Sequence, residues 1–203
     1  MPTPKRITEP KQLIVEGADA VYFFRALLKH LDLTGIQIQN FGGIGELRAF
    51  LKALCNAPDF LTLVTSVGIV RDAETDASAA FQSVCSALNG ANLTIPQQPM
   101  TPIGDSPQVN VLILPDATTS GMLETLCLRT VENDPVMECI EQYFNCIKQR
   151  RGILPTNMPK AKVQAFLASR PKPGLLLGQA ADAGYWLWES LALEPVKQFL
   201  QVL

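Results

Sequence analysis

Histidine is nearly missing from this sequence: His30 is the only one. It falls near the end of the first expected helix, where a cation suits the helix dipole. That argues against a Ser-His-Asp triad, and a multi-histidine metal site is excluded. Paired cysteines are missing too. Cys55, Cys85, Cys127, Cys139 and Cys146 are odd in number and contain no Cys-x-x-Cys, so neither a zinc site nor a disulfide framework is indicated. Cys139 and Cys146, spaced to share a helix face, are expected as small buried apolar residues. No apolar run approaches the roughly 18 residues of a membrane span. The opening MPTPKRITEPK lacks the apolar stretch of a secretory signal, so a cytoplasmic protein with no membrane partner is expected. No Gly-x-x-x-x-Gly-Lys-[Ser/Thr] motif occurs, so any nucleotide hydrolysis must come from elsewhere. The remaining chemistry must run on carboxylates, lysines or arginines.

One further absence is local. Between Glu141 and Asp182 there is no acidic residue, while Lys148, Arg150, Arg151, Lys160, Lys162, Arg170 and Lys172 all fall inside that gap. Over the whole chain 17 basic and 19 acidic side chains leave a net charge of −2, which opposes binding nucleic acid by bulk charge alone. The basic segment reads either as a solvated face with helix ends or as a phosphate-binding surface.

What is present is an alternation of strands and helices. The chain has 203 residues, 47% of them hydrophobic, enough for one substantial core. KQLIVEG, IQIQNFGG, TSVGIVRDAE and VNVLILPD read as strands. Amphipathic helices are expected over Asp19–Leu33, Gly45–Asn56 and Asp76–Leu88. Continuous apolar strands between such helices predict an α/β fold, a mostly parallel sheet flanked by helices. NLTIPQQPMTPIGDSPQ reads as an exposed loop or short edge strand. After Asp116 the pattern turns helical, with Asp134-Pro135 opening one helix. Trp186, Trp188, Leu191, Val196, Phe199 and Leu200 are available to pack near the end. The expected organisation is an α/β core over 1–118 and a C-terminal helical extension over 119–203, packed as one globular unit.

Three strand ends carry the chemistry. Leu13-Ile14-Val15 runs straight into Glu16-Gly17, and a carboxylate there points into the crevice where open α/β sheets place ligands. Alternatively Glu16 closes the strand in solvent and Asp19 caps the next helix. Asp72 follows Gly68-Ile69-Val70, with Glu74 and Asp76 at two-residue spacing, and Gly42-Gly43 follows the second strand with Glu46 beyond. Parallel strands would bring Glu16, Asp72 and Glu74 to one sheet edge, where carboxylates repel unless a hard divalent cation relieves them. The competing view is a solvated turn, with Asp76 a helix cap.

Strand-Glu-Gly-helix, strand-Gly-Gly-helix and strand-Asp-x-acid-x-Asp together resemble the Toprim domain of topoisomerases, primases, recombination proteins and OLD-family nucleases. With SGMLETLCL, MPKAKVQAFLAS and LGQAADAGYWLW added, the chain resembles the Toprim-like DUF3226 family over most of its length. The resemblance implies a Toprim-like fold and a Mg2+ or Mn2+ site. It implies Glu16 as general acid/base or metal ligand, Asp72 and Glu74 as the metal-binding acid pair, Glu124 as a further metal acid, and Lys160 as the catalytic lysine. Two departures stand out: Glu74 occupies an Asp position, and Ala20 falls where OLD-type nucleases carry a second acid, with Asp19 beside it. A magnesium-dependent nucleic-acid phosphodiester hydrolase is thus implied, acting beside a partner ATPase as in bacterial defence systems. A non-catalytic Toprim-like binding or regulatory module is the alternative, and a small-molecule phosphoesterase or nucleotidyl-transfer enzyme a third.

Overall fold

A computed structural model describes residues 3–203. Four parallel strands form a sheet in the order β2-β1-β3-β4: β1 (Lys11–Val15), β2 (Ile36–Asn40), β3 (Ser66–Asp72) and β4 (Gln108–Leu114). Helix α1 (Gly17–His30) joins β1 to β2. Helices α2 (Leu47–Cys55) and α3 (Phe60–Leu63) lead to β3, and α4 (Ala77–Gly90) to β4. Five more helices follow: α5 (Leu123–Thr130), α6 (Val136–Arg151), α7 (Met158–Ala168), α8 (Leu177–Asp182) and α9 (Glu194–Gln201). The predicted α/β class and its parallel sheet are what the chain adopts.

Side chains alternate across each strand, and the two faces bury different partners. Leu13, Val15, Val70, Leu112 and Leu114 pack with α1 and with Leu126, Phe166, Trp186, Phe199 and Leu200 from the later helices. Ile14, Val67, Ile69, Val109, Val111 and Ile113 pack on the other face with Phe50, Leu54, Phe81 and Val84 of α2 and α4. β1, β3 and β4, buried on both faces, read as apolar runs and were visible in the sequence for that reason, whereas the half-buried β2, IQIQN, alternates apolar and polar residues. Gly68 marks a close approach on the first face: a Cβ there would lie 2.7 Å from Leu203 Cδ1 and 3.0 Å from Phe199 Cζ. Ser66 Oγ, two residues earlier, donates to the Leu203 backbone oxygen at 2.6 Å.

Several expectations are corrected. Asp19 does not cap α1, which begins at Gly17; it sits in the first turn and its Oδ1 accepts the Gly178 amide at 3.1 Å. Helix α1 ends at His30 instead of Leu33, because Asp32 turns left-handed at φ 52°. Cys139 and Cys146 are exposed, while α6 buries Ile140 and Phe144. Leu191 is 84% exposed, while Trp186, Val196, Phe199 and Leu200 are buried. The proline-rich segment is a loop that meets β4 at an antiparallel bridge, Ile103 to Val109, and through the Met100 amide donating to the Val111 carbonyl at 2.8 Å. Asp76 caps α4, its Oδ1 accepting from the Ala79 amide at 3.0 Å. Asp134 Oδ1 accepts from the Val136 amide at 2.9 Å as α6 begins.

Candidate metal centre

The carboxyl edge of the sheet is laced together by one side-chain oxygen and by backbone hydrogen bonds. At the end of β2, Asn40 Oδ1 accepts from the amides of Gly17 (3.1 Å) and Gly42 (2.8 Å), tying the corner after β1 to the corner after β2. Gly17 and Gly42 have φ of 80° and 88°, a conformation glycine adopts without the steric cost of a Cβ. Beyond β3 the chain turns left-handed at Glu74 (φ 54°). There the Glu74 and Gly121 backbones exchange two hydrogen bonds of 2.8 Å. The loop after β3 is therefore clamped to the segment that opens α5.

Asp72 closes β3 on the face shared with α1 and α5. Its Oδ1 accepts from the Leu123 amide, the first of α5, at 2.9 Å. Glu124 follows within the first turn of the same helix. Burial pushes the Asp72 carboxyl up to about 8; the Glu16 and Glu124 charges add to this, the Leu123 amide opposes it, and Glu74 adds a smaller push. Burial also raises Glu124, with its own amide and Lys160 opposing and the Asp19 and Glu74 charges adding. Glu16 is raised by burial, held back by the Arg71 guanidinium and raised further by Glu74.

Glu16, Asp72, Glu74 and Glu124 therefore share one electrostatic neighbourhood, with Asp19 at its margin and Lys160 as the cation facing Glu124. Like charges in a poorly solvated place repel each other strongly. As arranged, no group of three His, Cys, Asp or Glu side chains among the described residues could hold a metal ion. Glu16 Oε2 is buried with no hydrogen-bond partner among the described residues.

Lys160 is exposed in the first turn of α7, whose cap, Asn157, accepts the Lys160 amide at 2.9 Å. The Asn157 amide nitrogen also reaches Met122 Sδ at 3.4 Å, one residue before α5. The rest of the acid-free segment divides. Lys162 pairs with Glu141, and Arg170 with Asp134 at 2.9 Å. Lys148, Arg150 and Arg151 form the last turn of α6, facing the negative end of its dipole.

Sequence reading passed over Arg71. It is 6% exposed, and Nε and Nη1 have no hydrogen-bond partner among the described residues. Arg71 and Asp72 are consecutive in β3, so their side chains leave opposite faces of the sheet, and the Arg71 charge is felt by Glu16 just beyond the neighbouring β1. The available signal was an arginine inside an otherwise apolar strand.

A polar cleft of about 600 Å³ begins one residue beyond Glu74, with Thr75, Ser78, Gln82, Gln97 and Gln98 in its walls. Among the described residues no helix is long and apolar enough to cross a membrane.

The family described as "Protein of unknown function (DUF3226)" matches residues 10–203. A hypothetical protein from Pyrococcus horikoshii OT3 has a similar structure, with a TM-score of 0.66 and 18% identity, over 96% of this chain and 95% of that one. The C-terminal region of the Burkholderia pseudomallei OLD protein superposes with a TM-score of 0.53 and 13% identity, over 97% of each chain. At these identities the likeness is one of fold. No curated protein matches the sequence.

Proposed function

The chain belongs to the DUF3226 family, and from that membership and the acidic sheet edge we propose that it is a Mg2+- or Mn2+-dependent phosphodiester hydrolase acting on nucleic acid. The observation that carries this reading is the gathering of Glu16, Asp72 and Glu124, each raised by burial, with the exposed Glu74 adding its charge to all three, at the carboxyl edge of a Toprim-like sheet. Folding such charges together is unfavourable unless something positive engages them. All their donors are carboxylate oxygens, the chemistry a hard divalent cation takes. The partnerless Glu16 Oε2 has the free lone pairs such a ligand needs.

In this reading Asp72, Glu74 and Glu124, which as arranged do not form a ready-made metal group, would hold the ion once drawn together, with Glu16 as ligand or proton acceptor. When bound, magnesium or manganese supplies a Lewis acid that lowers the pKa of water and takes up charge on the leaving oxygen. Glu16, raised by burial, is a stronger proton acceptor than an ordinary carboxylate. Lys160, exposed on the Glu124 side, offsets charge building on the phosphate. The polar cleft beyond Glu74 offers room for the flanking nucleotide. A partner ATPase belongs to the same proposal, since the OLD resemblance implies one and this chain has no phosphate-binding loop of its own.

Incubating wild type with plasmid, single-stranded DNA and RNA in magnesium or manganese, beside Asp72→Ala, tests the proposal. Cleavage by wild type that chelator abolishes and Asp72→Ala lacks is expected. A second reading, a non-catalytic binding or regulatory module, draws on the absence of any ready-made three-residue metal group among the described residues. Failure of all three substrates to be cut, with or without a partner ATPase, would favour it.

A further inference from the structure

Arg71 is the only lysine or arginine buried among the described residues. A guanidinium taken out of water without partners costs several kcal/mol, so buried arginines are almost always met by carboxylates or carbonyls. Here an opposite charge is close enough to be felt and the bond is not made. Glu16 feels the Arg71 cation, yet Glu16 Oε2 and Arg71 Nε and Nη1 all remain without hydrogen-bond partners among the described residues. An arginine and a carboxylate within reach of each other ordinarily close into a paired fork. Arg71 is the last residue but one of β3, and Glu16 directly follows β1, the parallel strand beside it, so both lie at the edge that carries the site. A cation held there, unpaired, is set to receive an anion that comes and goes.

We propose that Arg71 is the phosphate-binding residue of this site, donating to non-bridging phosphoryl oxygens of the substrate on the Glu16 side of β3. The inference rests on the hydrolase reading and adds to it the residue that seats the scissile phosphate. The division of labour follows from strand alternation. Asp72 and Glu124 gather on the α5 face, Arg71 lies on the α4 face, and Glu16 is in electrostatic reach of both Asp72 and Arg71. A phosphate on Arg71 therefore lies beside the carboxylates without displacing them. Arginine suits this place because its charge persists at every working pH and its planar donors match phosphate oxygens.

Isothermal titration with inorganic phosphate tests it, run in chelator and again with calcium, on wild type, Arg71→Met, Arg71→Lys and Lys148→Met. Wild type should bind in at least one condition. Arg71→Met should bind tenfold or more weakly, Arg71→Lys should fall between, and exposed Lys148→Met should match wild type. Circular dichroism melts accompany each variant. Because the substitution removes an unpaired buried charge, Arg71→Met should remain folded. Equal phosphate affinity in wild type and Arg71→Met overturns the proposal, as does no phosphate binding by wild type in either condition. A fall shared equally by Lys148→Met also overturns it, since that reports bulk charge. Cleavage with unchanged phosphate affinity in Arg71→Met would refute this inference and leave the hydrolase reading standing. Phosphate binding lost in Arg71→Met without any cleavage would do the reverse.

Discussion

Asp72 accepts an amide at the start of α5 and still holds its proton up to about pH 8, because burial and the Glu16 and Glu124 charges outweigh that hydrogen bond. The consequence for stability has a definite sign. In the unfolded chain the group titrates near 3.8. Between 3.8 and about 8 the folded state keeps a proton that the unfolded state has lost, so stability is fullest below the unfolded value and falls as pH rises toward 8. Each pH unit in that window is worth at most about 1.4 kcal/mol. Melting in chelator from pH 5 to pH 8 should show wild type losing stability and Asp72→Asn giving a flatter profile. A wild-type profile as flat as that of Asp72→Asn would mean the carboxylate is solvated. The metal reading predicts a second residue-scale effect, since an ion that binds only the folded protein stabilises it in proportion to occupancy. Magnesium or manganese should raise the wild-type melting temperature at neutral pH, and Asp72→Ala should lose that response. No shift with either ion would remove the metal from the proposal for the isolated chain.

Among the elements, the strands were the legible part and the late helices the obscure one. β1, β3 and β4 are apolar runs because both their faces are covered, and Asp76 announced α4 by the ordinary logic of a cap. Glu16 and Asp72 stood out as acids at the ends of such runs. Arg71 did not: its place inside an apolar strand was the one signal, and a cation that snorkels to solvent gives the same signal. The short helix α8 went unread because its six residues, LGQAAD, carry too little periodicity. Its place is set by tertiary contact instead. A Cβ on Gly178 would lie 2.5 Å from Tyr22 Cβ and 2.7 Å from the Asp19 carbonyl oxygen, so α8 can approach α1 only with glycine there. Gly178→Ala should lower stability by about 1–3 kcal/mol in chemical denaturation, the usual cost of overpacking. Denaturation unchanged within error would show that α8 can slide. Helix α6 gives another check: Cys139 and Cys146 should react rapidly with a thiol reagent in the native protein, while buried Cys127 should react only on unfolding.

For the molecule as a whole, the covering of the α1 face is completed by the last elements in the chain. Val196, Phe199, Leu200 and Leu203 join the same core as Leu13 and Val70. Ending the chain after Leu193 should therefore abolish cooperative unfolding and expose dye-binding apolar surface, with much of the helical signal retained. A truncated chain that still melts in one sharp transition would show the α/β core to be an independent unit. Order of synthesis gives the same architecture a cost in time. All four strands have been made once Leu114 is added, but the residues that cover Gly68 come at the far end of the following 89, from Pro115 to Leu203. At about 5–20 residues per second, one face of a nascent sheet waits roughly 4–18 s for its cover. For that interval the strands are a sticky surface on a growing chain, and chaperone supply during translation should limit the yield of this protein more than its final stability does.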